Sequence, residues 1–117
     1  MMAVPLRIGG GSRLKILEAL AAGLPVISTQ VGAEGLRLAA DQHLTIVADI
    51  EDMARAVVTC IRHPERAAAQ ADAGRAHVLA EYHWDVLAGR LEAVWEQCTA
   101  EQLKPTTDLY AKTSECP

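Results

Sequence analysis

An α/β fold with a short parallel sheet is the class this 117-residue sequence predicts, and three observations predict it. Short β-branched apolar runs, such as LPVIST at 24–29, are followed by longer stretches of helical periodicity. Strands feeding helices in this way build parallel sheets. Half of the residues are apolar, enough to bury a core rather than leave the chain disordered. Aromatics make up only 3%, with no Phe, so the core has to be built from Ala, Leu, Val and Ile, which suits helices packed closely on a sheet.

The elements follow in order. Residues 3–6 are short and apolar and read as the end of a strand. Gly9, Gly10 and Gly11 form a loop, and Ser12 is the expected N-cap of a first helix. Leu14, Leu17 and Leu20 recur at helical spacing over 13–22, until Gly23 and Pro25 stop the helix. Residues 24–29 read as a buried parallel strand, Gly32 and Gly35 as a loop, and 44–47 as a further buried strand. Asp49 caps the next helix, with Asp52 three residues on in the manner of a capping box. Ile50, Met53, Ala54, Val57 and Ile61 form its apolar stripe. Pro64 suits the first turn of an Ala-rich helix running to about residue 81. A last helix over about 84–101 carries Leu87, Leu91, Val94, Trp95 and Cys98 on one face, and Trp84 and Trp95 are expected in the core. The sum is about three strands and about four helices. From Lys104 the periodicity fails, so residues 1–103 are expected to fold and 104–117 to form a flexible tail.

Composition excludes several function classes. The net charge is −4, and no basic face of the kind a nucleic acid requires is apparent. The longest apolar stretch, residues 16–28, is broken by Glu18, Gly23 and Pro25 and cannot cross a bilayer. The first residues have no charged region ahead of an apolar run, so no signal peptide is expected. Cys60, Cys98 and Cys116 are odd in number and far apart, which fits free thiols in a cytoplasmic protein. No His, Cys or Asp cluster has metal-ligand spacing.

The chemistry concentrates in residues 7–19, RIGGGSRLKILEA. Glycines let a backbone approach a ligand closely. The helix start behind them presents unpaired N–H groups and the positive end of a dipole. Arg7, Arg13 and Lys15 add positive charge, so the segment describes an anion site suited to a diphosphate. It has neither the spacing of a Walker A loop nor the third glycine of GxGxxG. Glu18, a turn and a half inside the helix, is positioned to accept hydrogen bonds from the hydroxyls of a ribose. On spacing alone, the same segment also reads as a flexible turn ahead of a solvated helix.

The longer run PLRIGGGSRLKILEALAAGLPVISTQVGAEGL resembles the donor-binding segment of the GT-B glycosyltransferases of the group 1, family-four-like kind. Many members carry E-G-F-G-x-x-x-x-E-A-x-A-x-G-x-P-V-V after a strand. Glu18 matches the second Glu, and Ala19, Ala21, Gly23, Pro25 and Val26 fall in step. Gly10 stands where those members have the first Glu, so that residue's role is not carried over. A subgroup with G-G-G-[ST]-[RK]-x-K-x-x-E-A is similar to what stands here. Val31 to Gly35 resembles the family's next loop, and Tyr82-His83-Trp84 its Y-S-W before the last helix.

The resemblance implies a partial Rossmann-like domain, the C-terminal part of a nucleotide-sugar-binding domain, within an enzyme that transfers a hexosyl group with retention. It implies that Glu18 holds the ribose. Gly10, Gly11, Ser12, Arg13, Leu14 and Lys15 would hold the diphosphate, the amides of Arg13 and Leu14 among them, with Arg7 a further contact. Such a site stabilises negative charge on the leaving nucleoside diphosphate. Neither a metal nor a cofactor is implied. The chain opens almost directly in this loop, so the expectation is a fragment without its N-terminal acceptor domain, catalytically inactive alone. Peripheral membrane association is expected of the full-length protein only.

Other residues carry weaker signals. Glu34 reads as a ligand contact or a solvated turn residue, and His63 as a residue favoured at a helix C-terminus. Cys60 and Cys98 read as small hydrophobes on apolar faces. A second function class fits the same sequence: a non-enzymatic α/β module that self-associates, forming a homodimer through an exposed sheet edge, or binds a partner.

Overall fold

A computed structural model describes residues 1–102, in seven elements. They are β1 (Met2–Val4), α1 (Leu14–Ala21), β2 (Val26–Thr29), β3 (Thr45–Val47), α2 (Ile50–Arg62), α3 (Pro64–Tyr82) and α4 (Trp84–Gln102). The predicted tail at 104–117, with Cys116, lies outside the described residues. Residues 1–83 make one compact unit, and a second begins at Trp84.

The three strands are parallel and lie in chain order, β1-β2-β3. Met2 pairs with Val26 and Val4 with Ser28 on one side of β2; Ile27 pairs with Thr45 and Thr29 with Val47 on the other. The expected α/β class is what forms, a partial Rossmann-like arrangement with helices on both faces. β1 ends at Val4, two residues earlier than its apolar run, because Pro5 has no N–H to extend the ladder. β2 starts only at Val26, although the Pro25 carbonyl still accepts the Met2 N–H at 2.8 Å.

Central β2 is buried at all four positions, and its alternation divides the core in two. Val26 joins Ile16, Ala19 and Leu20 of α1, Leu44, and Val78 of α3 on one face. Ile27 joins Val47 and Met53 of α2 on the other, with Ala56, Val57 and Cys60 alongside. Fully burying an aliphatic side chain of this size contributes about 1.5–3 kcal/mol, so these short strands are held by the helices that cover them.

Helix ends follow local chemistry. α1 closes with paired bonds from Gly23 N–H to the Leu20 carbonyl and from Leu24 N–H to that of Ala19, both 2.9 Å. Gly23 takes φ +72°, which a side chain would strain. Asp49 caps α2 as expected, its carboxylate accepting the Asp52 N–H at 2.8 Å. The box is one-sided, because Asp52 turns to Arg55 instead of back to the cap. Pro64 occupies the first turn of α3. Within α3, Gly74 is required by packing: a Cβ there would lie 2.7 Å from the His43 carbonyl oxygen and 2.8 Å from Leu20 Cδ2.

α4 departs from expectation. Its apolar stripe is real in spacing, but Trp84 and Trp95 are 82% and 68% exposed, and Leu91, Val94 and Cys98 are exposed too. Periodicity identifies a helix face; it does not say that anything covers it.

Candidate functional site

The segment singled out in the sequence forms an exposed loop and an open helix end. Residues 7–12 are all exposed, including Ile8. Gly9 and Gly11 take φ of +151° and +104°, whereas Gly10 keeps a negative φ, and a Cβ on it would meet nothing within 4 Å. Two of the three glycines are therefore conformational requirements, and the middle one is not.

Ser12 is not the N-cap of α1. Arg13 holds that position, since its carbonyl accepts the Ile16 N–H at 3.0 Å and the helix starts one residue later than expected. No side chain caps this end, and its first turn contains no acid. The free amides of the first turn and the positive dipole end thus face solvent beside Lys15, which is exposed, as is Arg7 in the loop. Glu18 is also exposed and makes no side-chain hydrogen bond or ion pair among the described residues.

The Arg13 side chain does something the sequence did not indicate. Its Nη2 donates to the Gly9 carbonyl at 2.9 Å and the Val31 carbonyl at 3.0 Å, and Nη1 donates to the Gly10 carbonyl at 3.4 Å. Its Nε is buried without an acceptor. The guanidinium is turned inward onto backbone oxygens of two loops, while its amide belongs to the helix end. On the same level, the Thr29 hydroxyl donates to the Leu6 carbonyl and accepts the Gly32 N–H at 3.0 Å. The approach at Gly32 is close: a Cβ would fall 2.3 Å from Ser28 Oγ and force that side chain to shift.

A cleft of about 440 Å³ opens at the carboxyl ends of the strands. Ligands of open parallel sheets occupy this position. Arg7, Thr29, Gln30 and Asp49 line it. Of the expected site residues it brings in only Arg7; Gly10 to Lys15 and Glu18 are outside its lining. The sequence reading missed Thr29 and Gln30, and the available signal was a polar pair ending a buried strand.

His43 is buried; its Nδ1 accepts the Ala39 N–H at 3.1 Å, and its ring stacks on His77 at 4.2 Å. Burial, and then the neighbouring His77, hold its pKa below the usual 6.5. Glu34 is exposed. Cys60 and His63 share a separate groove of about 200 Å³ at the far end of the sheet. Among the described residues no group of three or more His, Cys, Asp or Glu side chains is placed to hold a metal ion, and no helix is long and apolar enough to cross a membrane.

The chain is 34% identical over 98 residues to a GDP-mannose-dependent monoacylated alpha-(1-6)-phosphatidylinositol monomannoside mannosyltransferase from Corynebacterium glutamicum. The match covers 78% of this chain and 26% of that protein, so the chain spans about a quarter of its relative's length. No solved structure matches it. The glycosyl transferase-like family matches residues 3–93, from β1 through α3 and into α4. By that match and by the mannosyltransferase likeness, the chain belongs to the glycosyl transferase-like family.

Proposed function

We propose that this chain is the nucleotide-diphosphate-binding part of a glycosyltransferase, whose full-length form transfers a hexosyl group with retention. The observation that carries this reading is the amino end of α1: uncapped, free of acid in its first turn, and opening behind an exposed glycine loop at the carboxyl side of a parallel sheet. In this function the diphosphate rests on Gly10, Gly11, Ser12 and the amides of Arg13 and Leu14. Lys15 adds charge and Arg7 reaches it from the cleft side. These groups stabilise the charge that develops on the departing nucleoside diphosphate. Glu18, exposed and unengaged on the same helix, accepts the ribose hydroxyls. The nucleotide-sugar is a substrate, and no metal or cofactor enters the scheme. Catalysis requires an acceptor domain in addition, so the chain alone binds without turnover.

Calorimetric titration of the chain with GDP and UDP tests the proposal, with GDP first because the relative's name specifies a GDP-sugar. Glu18→Ala is expected to weaken nucleotide binding by about tenfold, in line with loss of hydrogen bonds to a charged acceptor, and to leave inorganic pyrophosphate binding unchanged. Unaltered GDP affinity in that variant removes Glu18 from the site.

One observation favours a second role. Among the described residues β1 pairs with β2 alone, and its other edge offers a ladder to a strand of another chain. Sedimentation over a concentration series decides this; a monomer at high concentration rules out self-association.

A further inference from the structure

We propose that Arg13 is a positioning residue, which with Thr29 closes a ring of hydrogen bonds that locks the glycine loop to the loop after β2 and turns the Gly10 and Gly11 amides outward. The inference deepens the diphosphate reading and rests on it for the identity of the ligand, though the lock itself does not.

The ring can be followed bond by bond. Arg13 donates to the carbonyls of Gly9, Gly10 and Val31. The peptide that carries the Val31 oxygen also carries the Gly32 N–H, which donates to Thr29 Oγ1. The Thr29 hydroxyl donates in turn to the Leu6 carbonyl, at the root of the glycine loop. The Val31–Gly32 peptide is thus clamped at both ends, by Arg13 on its oxygen and Thr29 on its nitrogen. Trans peptide units are planar, with C=O and the following N–H pointing in opposite directions. Pinning the Gly9 and Gly10 carbonyls on the guanidinium therefore aims the Gly10 and Gly11 N–H groups away from it. There is open space around both glycines, where a Cβ on either would meet nothing within 4 Å. Three carbonyls around one guanidinium fix a loop that glycine would otherwise leave loose. Lysine carries its donors on a single nitrogen and lacks the two separated Nη positions of this fork.

Amide hydrogen exchange on the full chain, without ligand, tests the lock. Arg13→Lys is expected to speed exchange at Gly32 by about tenfold or more, as loss of a charge-assisted bond predicts, although Gly32 lies in the other loop. Thr29→Val is expected to loosen the glycine loop in the same way. The double variant should be no looser than either single one, because a ring opened once is open; a purely local structural role would give additive effects. Core amides of β2 and α3 report whether each variant folds, and if Arg13→Lys does not fold, Thr29→Val alone carries the test. Unchanged exchange in the opposite loop, or additive effects, overturns the proposal. A second arm titrates inorganic pyrophosphate and follows the Gly10 and Gly11 amide resonances. These should shift in the wild type and at least tenfold less steeply with concentration in Arg13→Lys. Equal titration of both proteins overturns the positioning role. No shift in the wild type overturns the diphosphate reading and leaves the lock to be judged by exchange.

Discussion

The amino ends of α1 and α2 both follow a parallel strand, at the carboxyl end of the sheet, and they are finished in opposite ways. α2 is closed by its own acids: Asp49 caps it, Glu51 and Asp52 occupy its first turn, and Arg55 answers both. α1 has no capping side chain and no acid in its first turn, and exposed Arg7 and Lys15 stand beside it. One end has spent its dipole internally, while the other leaves it unspent, which is where the proposed diphosphate would sit. The difference lies in what is withheld from the first turn of α1, and the withholding is written in a few residues.

Four measurements break or sharpen that contrast. The largest effect is expected at Gly11, whose φ of +104° excludes other residues. Gly11→Ala should cost about 1–3 kcal/mol in denaturant unfolding, whereas Gly10→Ala, at a negative φ with open space around it, should stay within about 0.5 kcal/mol. Next, Lys15→Glu makes α1 resemble α2. Its pyrophosphate and GDP affinity should fall about tenfold, while the helix gains about 0.3–1 kcal/mol from the acid in its first turn. Conversely, Asp49→Ala opens α2, with an expected cost of about 1 kcal/mol in denaturant unfolding.

The last measurement separates fold from site by pH. His43 is held below its usual pKa of 6.5 by burial and by His77, and its Nδ1 accepts a backbone N–H in the neutral form. The unfolded chain binds that proton more readily, so stability is fully present above pH 6.5 and falls as pH drops below it. Thermal melts from pH 7.5 to 5 should show this loss, and His43→Gln should flatten it. A flat wild-type profile removes His43 as a stability determinant.

Much of the scaffold was legible because its causes are local. The LPVIST run makes a buried strand, Asp49 caps, Pro64 starts a helix, and Gly23 ends one. The glycine loop and the start of α1 were legible to within one residue; only the cap shifted, from Ser12 to Arg13. The role of the Arg13 side chain was not legible, because its acceptors are backbone carbonyls, and one of them is 18 residues away. A sequence displays side chains, and every residue has the same carbonyl. The exposure of Trp84 and Trp95 was not legible for a related reason: an apolar face carries no information about its cover. Gly74 was passed over because a lone glycine in an Ala-rich helix has no pattern to betray it.

That glycine carries a mechanical consequence. The missing Cβ lets α3 settle against Leu20, near the carboxyl end of α1, and against the His43 carbonyl. Leu20 stands six residues from Leu14, about 9 Å along a rod with a rise of 1.5 Å per residue. A methyl group inserted at 74 would act as a wedge under one end of that rod, and the other end, where the proposed diphosphate would sit, would tilt. The aim of that helix end is thus set by the thickness of a single atom some sixty residues further along the chain.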